Sequence, residues 1–275
     1  MRCIRSFFIP WVSCLVLAAC ASAQGESIVH IAHCYTYCPQ SEVSASRQIV
    51  VHHLYAADIE PESGLAEWVA YRVLGDSLGV ASLLPRFWQA DPLLSEVLAI
   101  DLDGDDVEIF QPDLSNAQDR EYRVNEVQIN AADRGRLAPM TSFAGTPYWE
   151  DLNNLSNMAP LPADLRVGSW ARLEQAINAL AAQVGDVYVI SGPLVAKGEV
   201  IESPGAYFKV VLAANRLSAF VFPGDLRQND RYCDQFSSLQ EIEARANLEL
   251  LPALATGDLT LAGSLNTELG CGASE

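Results

Sequence analysis

Strand-like and helix-like segments follow one another in an irregular order along this chain. Short runs rich in β-branched and aromatic residues come first, followed by a helical pattern, further strand-like runs and a second helical pattern. A doubly wound parallel sheet requires strands and helices that alternate regularly, and this order does not provide them. We therefore predict a mixed α+β fold.

The predicted elements have recognisable boundaries. The runs Gln48–Tyr55 and Trp68–Val73 flank a turn rich in proline, serine and glycine, and they predict a hairpin. The clearest helix runs from Asp164 to Ala182, with Gly185 as a stop signal and an apolar stripe at Trp170, Leu173, Ile177 and Leu180. The remaining elements are three strands and a second helix opened by a capping box: Val187–Ser191, Tyr207–Leu212, Ala219–Phe222 and Ser238 to Asn247.

The first 25 residues are typical of an export signal. Arg2 and Arg5 precede an apolar run that is too short to span a bilayer comfortably. Two processing sites overlap after this run: Leu17–Cys20 has the form of a bacterial lipobox that would lipidate Cys20, and Ala21–Ala23 fits ordinary signal peptidase. We expect an exported protein, either periplasmic, anchored to the outer membrane through Cys20, or secreted.

Cysteine usage agrees with export. Three of the seven cysteines lie in the signal, and the others are Cys34, Cys38, Cys233 and Cys271. An even set in an exported chain suggests disulfides, and the spacing favours Cys34–Cys38 and Cys233–Cys271. A zinc site has poorer support, because three intervening residues and then a long gap are unusual zinc spacing. We predict that residues 26–275 form one domain, since half of the 275-residue chain is hydrophobic.

The charge balance is strongly acidic. There are 17 basic and 35 acidic side chains, which give a net charge of −18. Such a chain should repel DNA, RNA and anionic lipid at long range. Five acids crowd the segment Asp101–Glu108, but a calcium loop fails in detail because Asp106 occupies the EF-hand glycine position and Pro112 the final glutamate position. A solvated acidic loop fits better.

The segment Asp133-Arg134-Gly135-Arg136-Leu137-Ala138-Pro139 carries a family resemblance, which four further segments continue in order and spacing: Tyr148–Asn157, Gly168–Glu174, Val187–Pro193 and Tyr207–Val210. The chain resembles the sugar-non-specific DNA/RNA endonucleases of the ββα-metal class, the Serratia nuclease family, whose signature is Asp-Arg-Gly-His followed by x-Ala-Pro. The resemblance spans Cys34 to Cys271, and both cysteine pairs fall where secreted members have disulfides. It implies the ββα-metal endonuclease fold, with mixed, mainly antiparallel sheets and flanking helices.

The resemblance also implies a chemistry. In the family, the motif histidine activates a water that attacks phosphorus, and one Mg²⁺, held by a helix asparagine, stabilises the developing charge on DNA or RNA. Supporting positions of the family correspond to five residues here: Asp133, Arg134, Arg86, Asn157 and Glu174. The resemblance also makes Asn157, together with Arg166, a family position for the metal.

Two central positions differ from the family. Arg136 replaces the catalytic histidine, and Arg166 replaces the metal-binding asparagine. A guanidinium has no acceptor lone pair and stays protonated at physiological pH, so it neither accepts a proton from water nor binds a cation. Arg166 would also repel a nearby divalent cation.

No histidine is an obvious replacement for the missing base. All four lie in the first fifth of the chain: His30, His33, His52 and His53. His52 and His53 are adjacent in a predicted strand, so they should face opposite ways. We expect ordinary strand or surface histidines.

The substitutions leave a cluster of cations instead. If the fold is kept, Arg86, Arg134, Arg136 and Arg166 converge on the former active site. Arginine forks pair well with phosphate oxygens, so the cluster could bind a phosphodiester without cutting it. Alternatively, Arg136 and Arg166 could pair with Asp133, Glu174 or the acidic loop and close the site.

Three functions remain compatible with the sequence. The first is a nuclease with an unusual centre, in which Glu174 or an unassisted water replaces the base. The second is an exported pseudonuclease that binds a nucleic acid, a phosphorylated ligand or a protein, and the third is an acidic lipoprotein with an inert fold. We expect phosphodiester hydrolysis to be absent or far below the family's usual rate, and the sequence does not define an oligomeric state.

Overall fold

A seven-stranded sheet organises the domain. The structure, a computed structural model, describes residues 31–41, 48–60, 63–94, 122–124, 127–129, 134–195, 201 and 204–272. Its strands are β1 (Gln40–Ser41), β2 (Gln48–Val51), β3 (Tyr55–Ile59), β4 (Ala66–Leu74), β5 (Tyr122–Val124), β6 (Val127–Ile129), β7 (Arg134–Arg136), β8 (Met158–Pro160), β9 (Asp186–Leu194), β10 (Ala206–Ala213), β11 (Arg216–Pro223), β12 (Phe236–Ser237) and β13 (Leu248–Glu249). The order in the large sheet is β12-β11-β10-β9-β4-β3-β2, and all neighbours are antiparallel. Three two-stranded sheets pair β1 with β13, β5 with β6, and β7 with β8.

Helices flank this sheet and complete the predicted α+β fold. The α-helices are α1 (Ala163–Leu165), α2 (Ala171–Val184), α3 (Leu239–Ala246) and α4 (Pro252–Thr256). A π-helical turn at Arg166–Trp170 joins α1 to α2. Single 3₁₀ turns occupy Gly75–Ser77, Ala81–Leu83, Met140–Ser142, Trp149–Asn153, Leu155–Asn157 and Tyr232–Gln235. The prediction of mainly antiparallel sheets with flanking helices is confirmed.

The central strands are buried on both faces. In β4, Tyr71 and Val73 pack into the core beneath α2, whereas Trp68 and Ala70 pack into a second core with α3 and the Cys34–Cys38 loop. Alternate side chains of a strand point to opposite faces, so β4 contributes side chains to both cores. All eight residues of β10 are buried for the same reason.

The predicted helix is interrupted near its start. The apolar stripe of α2 and the residue before it are at most 1 % exposed. Gly185 follows the end of the helix, as predicted, and has a positive φ. Gly168, inside the π-helical turn, has non-helical backbone angles of φ −97° and ψ −117°. A Cβ there would lie 2.6 Å from the carbonyl oxygen of Gln228, so only glycine permits this approach. Arg166 is the first residue of this π-helical turn.

The first predicted hairpin is a three-stranded meander. The run Gln48–Tyr55 was expected to form one strand, but it divides into β2 and the start of β3 at a turn closed by the hydrogen bond from His52 N to Tyr55 O (2.8 Å). His52 and His53 therefore lie in this turn rather than in a strand. The prediction was wrong here because the turn residues, His53 and Leu54, carry none of the glycine, asparagine or proline signals of a tight turn.

Other local predictions are confirmed. The Ser238 hydroxyl accepts a hydrogen bond from Glu241 N (3.1 Å) and caps α3. Both predicted disulfides, Cys34–Cys38 and Cys233–Cys271, are present. In the part of the chain that the structure describes, no helix is long and apolar enough to cross a membrane. The export segment and the acidic segment Asp101–Glu108 lie outside the described residues.

Candidate active site

The motif strand β7 is short and tightly constrained. It pairs with β8, and Arg136 lies opposite Met158. A Cβ on Gly135 would lie 2.5 Å from the Leu161 Cβ, so a glycine is required between the two arginines. Asp133, which precedes the strand, lies outside the described residues, and Arg134 is partly exposed opposite Pro160.

Asn157 fixes the chain that follows the motif. Its Oδ1 accepts a hydrogen bond from Ala138 N (2.8 Å), and its Nδ2 donates to Ala138 O and Leu152 O (both 3.0 Å). The side chain is fully buried. These three bonds to backbone groups hold the motif segment against the 3₁₀ turns of residues 149–157, so the observed role of Asn157 is positioning.

Arg136 is held rigidly at the centre of the site. Its Nε donates to Leu152 O (3.1 Å), and its Nη2 donates to Phe87 O (3.4 Å) and Asn153 Oδ1 (2.5 Å). The guanidinium also stacks on the Trp88 ring, with Cζ 4.3 Å from the ring centroid. Arg136, which the resemblance assigns to the histidine position of the family, is thus a donor-only group that connects three chain segments.

Two other predicted arginines act on Arg136. Burial lowers the pKa of Arg136, and the positive charges of Arg86 and Arg166 lower it further, to about 10. Arg86 precedes Phe87 and Trp88, the residues that contact Arg136, and its side chain is exposed. The charges of Arg86 and Arg166 therefore act on Arg136, which remains a cation at neutral pH.

Glu174 lies in a different environment from the one predicted. Its Oε1 accepts a hydrogen bond from the Lys209 Nζ (3.0 Å), and Lys209 also lies 3.2 Å from the Tyr71 hydroxyl and 3.9 Å from the Trp170 ring centroid. Burial raises the pKa of Glu174 and lowers that of Lys209, while their mutual attraction opposes both shifts. Glu174 is therefore paired inside the protein with Lys209 rather than with Arg136.

Asn153 is a site residue that the motif comparison missed. It is fully buried, and its Oδ1 must face Arg136 because a guanidinium can only donate. Its Nδ2 is then left without a hydrogen-bond partner among the described residues. The only sequence signal for Asn153 is its position within the run Tyr148–Asn157 that carries part of the resemblance.

A buried polar network lies beside these residues. His52 Nε2 lies 2.8 Å from Asp91 Oδ2, which also accepts a hydrogen bond from the Ser156 hydroxyl. Ser156 in turn contacts the Tyr55 hydroxyl (2.7 Å). Asp91 lies between His52 and Ser156 and contacts both. A catalytic triad needs the histidine between the serine and the aspartate, so these three residues do not form one.

His53 differs from its neighbour. Its Nδ1 lies 2.9 Å from Asp151 Oδ2, and its ring stacks on Tyr148 with 4.1 Å between centroids. The side chain is 62 % exposed. His53 is a surface residue, as expected, whereas His52 is neither a strand nor a surface histidine but a buried member of the network.

The described residues do not fit Mg²⁺. They contain no cluster of three or more histidine, cysteine or acidic side chains suited to a metal. At the two positions that the resemblance assigns to the metal, Arg166 offers no lone pair and Asn157 has its amide bonded to the backbone. The chemistry of these donors thus disagrees with the metal centre that the resemblance implies.

Comparisons with known proteins support the family resemblance. The family model for DNA/RNA non-specific endonucleases matches residues 35–257. A nuclease of Serratia marcescens is 31% identical over 255 residues, which cover 86% of both chains. Mitochondrial nuclease EXOG of Homo sapiens is 29% identical over 187 residues, covering 58% of this chain and 50% of its own. A crystal structure of the EndoG/EndoGI complex matches with a TM-score of 0.58 at 18% identity, over 78% of this chain and 89% of that chain, and supports the fold.

Proposed function

The chain belongs to the DNA/RNA non-specific endonuclease family, and we propose that its own phosphodiester hydrolysis is reduced to background level. The observation that carries this proposal is the state of Arg136. It stands where the family has its general base, it is fixed by three hydrogen bonds, and it is cationic at neutral pH.

The proposed loss has two parts. A missing general base costs roughly 10²–10⁴-fold in rate, and a missing metal removes several kcal/mol of transition-state stabilisation. Both groups act in one step, so the two losses do not simply add. Glu174 is a poor substitute base because Lys209 holds it within the core.

Cleavage of supercoiled plasmid and of RNA tests the proposal. The protein is expressed from its full sequence under oxidising conditions, and cleavage is measured in Mg²⁺ and in Mn²⁺ beside Arg136→His/Arg166→Asn. We expect no cleavage above a no-enzyme control by the unmutated protein and measurable cleavage by the double variant. Cleavage by the unmutated protein that Glu174→Ala abolishes would contradict the proposal and favour a carboxylate base.

A melting curve of each variant belongs to this experiment. Histidine at position 136 cannot make all the contacts of the arginine to Phe87, Leu152 and Asn153, so the double variant should melt earlier. The single variant Arg166→Asn controls for the exchange at position 166 alone. A folded double variant that does not cut would show that further departures from the family also matter.

A second candidate function is binding without hydrolysis. It is favoured by the positive charge of Arg136, on which the charges of Arg86 and Arg166 also act. A cationic guanidinium is a good donor to phosphate oxygens even where no general base is present. The net charge of −18 disfavours the long polyanions DNA and RNA as partners.

We also propose that the protein acts outside the cytoplasm. Two disulfides are consistent with an oxidising compartment. The expected leader is removed either immediately before a lipidated Cys20 or after Ala23. Mass spectrometry of the N-terminal peptide and metabolic labelling with a fatty acid separate these forms, and an unprocessed Met1 in the soluble fraction of the cytoplasm would contradict export.

A further inference from the structure

We propose that the outer edge of β2 binds an extended basic segment of a partner protein, which pairs with it as an additional antiparallel strand. In the part of the chain that the structure describes, β2 (Gln48–Val51) is the last strand at one side of the seven-stranded sheet. The proposal uses none of the residues that the family resemblance assigns to catalysis, so it is independent of the proposed loss of hydrolysis.

The first argument is the set of backbone groups that β2 leaves open. The hydrogen bond from His52 N to Tyr55 O (2.8 Å) sets the alternation of the ladder, so the backbone groups of Val50 face β3. The N–H and C=O groups of Ile49 and Val51 consequently point away from β3. No described residue hydrogen-bonds to these four groups. Such a row of unpaired groups is a template for a further strand.

The second argument is the chemistry of the exposed side chains. β2 has the sequence Gln-Ile-Val-Val and carries no charge. Ile49 is 36 % exposed and Val51 is 45 % exposed. Edge strands are normally protected by charged side chains, proline or a bulge, and β2 has none of these. The two apolar side chains lie on one face of the strand and can contact apolar side chains of a bound strand.

The third argument is that the strand is fixed before any partner binds. At one end, the Gln48 Nε2 donates a hydrogen bond to Leu93 O (2.7 Å). At the other end, His52 Nε2 lies 2.8 Å from Asp91 Oδ2. Between them, Val50 is buried in the core. Because the edge is already ordered, binding of a strand has only the guest segment to order.

The charge of the protein selects the kind of partner. A net charge of −18 attracts a basic segment at long range, and it repels both nucleic acids and a second copy of the same chain. All neighbours in the large sheet are antiparallel, and antiparallel pairing is slightly more stable per residue than parallel pairing. The edge therefore fits an antiparallel segment in which apolar and basic residues alternate. Four residues make a small interface, so we expect transient binding.

The ladder geometry determines which residues of the guest pair with β2. In an antiparallel pair, guest residues opposite Ile49 and Val51 exchange hydrogen bonds with them and place their side chains on the same face. The apolar guest residues therefore turn their N–H groups towards β2. The N–H groups of the basic residues point away from it. Methylation of one set of guest nitrogens should thus abolish the pairing, whereas methylation of the other set should not.

Three fluorescently labelled heptapeptides with capped ends test the proposal on the full chain. One alternates N-methyl-lysine with valine, one alternates lysine with N-methyl-valine, and one has N-methyl-glutamate in place of N-methyl-lysine. By fluorescence anisotropy, we expect the first to bind roughly tenfold more tightly than the second, which lacks the donors that face β2. Equal binding of these two, or no binding of the first, overturns the site, and the reverse order overturns the antiparallel pairing. Equal binding of the glutamate peptide overturns the selection by charge.

Val51 provides a matched pair of variants. Val51→Pro removes one donor from the outer edge, where proline is tolerated, whereas Val51→Thr keeps the donor and the shape of the side chain. We expect the first variant to bind the N-methyl-lysine peptide roughly tenfold more weakly and the second to change binding less than about twofold. Equal effects of the two variants overturn the site.

Amide hydrogen exchange of the unmutated protein gives a measurement that needs no variant. The N–H groups of Ile49 and Val51 should exchange more slowly when the N-methyl-lysine peptide is present, and unchanged exchange at both residues overturns the site. Sedimentation velocity without peptide examines the alternative occupant. A dimer of the unmutated protein that Val51→Pro dissociates would identify a second copy at this edge and overturn the basic partner.

Discussion

The Nζ of Lys209 lies 3.0 Å from Oε1 of Glu174, and the side chain of Lys209 is completely buried. Lys209 comes from the central strand β10, and Glu174 from the first turn of α2. The pair therefore connects the sheet with the helix that follows the kinked turn carrying Arg166.

Removing one member of this pair should be costly. We expect Lys209→Met to lower the free energy of unfolding by about 3–5 kcal/mol, because Glu174 loses the partner for its buried charge. Lys209→Met/Glu174→Leu should be closer to the unmutated protein, since no charge remains buried. Urea unfolding of the three proteins measures both values, and a double variant no more stable than the single one would refute this explanation.

The Asp91 carboxylate should make stability depend on pH. Burial raises its pKa, but hydrogen bonds from His52 and Ser156 and the His52 charge outweigh burial and hold the pKa below 3.8. A carboxylate with a lowered pKa in the folded state stabilises the protein above its unfolded pKa, and the contribution disappears as the pH falls through the folded pKa. Asp91→Asn should therefore be destabilised at pH 7, by about 1–3 kcal/mol, and the difference should shrink below pH 3.8.

Asp258 provides a control carboxylate for the Asp91→Asn variant. Asp258 also has a lowered pKa, because of hydrogen bonds from Thr256 and Tyr37, but it is fully exposed. Asp258→Asn should cost less than Asp91→Asn at pH 7. Chemical unfolding between pH 3 and pH 7 gives the comparison, and equal losses would show that burial of Asp91 does not matter.

The motif glycine should tolerate no side chain. Gly135→Ala places a Cβ 2.5 Å from the Leu161 Cβ, and overpacking of this kind costs about 1–3 kcal/mol. Gly272→Ala is the control, because its Cβ would lie 3.9 Å from the nearest atom, the Thr267 Cγ2. Thermal unfolding should show a clear loss for the first variant and almost none for the second.

The two disulfides should contribute unequally. Cys233–Cys271 spans 38 residues and Cys34–Cys38 spans 4. In the chain-entropy model, closing the longer loop stabilises the folded state by about 4 kcal/mol, and closing the shorter loop stabilises it by about 2 kcal/mol. Replacing Cys233 and Cys271 by serine should thus lower the unfolding midpoint more than replacing Cys34 and Cys38, and the reverse order would mean that native packing of the small loop dominates.

The sequence predicted the features that depend on local periodicity and on motif order. The stripe from Trp170 to Leu180, the Ser238 cap and the antiparallel sheet of the family are all observed. The replacement of the family's base and ligand by Arg136 and Arg166 stays a prediction, which depends only on residue identity at these positions.

Pairing between distant segments could not be predicted in the same way. Nothing in the sequence indicates that Glu174 pairs with Lys209 or that Asn153 contacts Arg136, because both contacts depend on the packed backbone. The β2–β3 turn was missed because sterically ordinary residues, His53 and Leu54, form it. Long-range polar contacts and turns without glycine or proline are therefore the limits of the sequence-based prediction.

The three hydrogen bonds of Arg136 have an evolutionary consequence. A lineage that exchanged this arginine for histidine would recover a potential base, yet it would also release Phe87 O, Leu152 O and Asn153 from their common donor. A histidine at position 136 is therefore expected in a less stable protein unless the surroundings of Trp88 and Asn153 change as well.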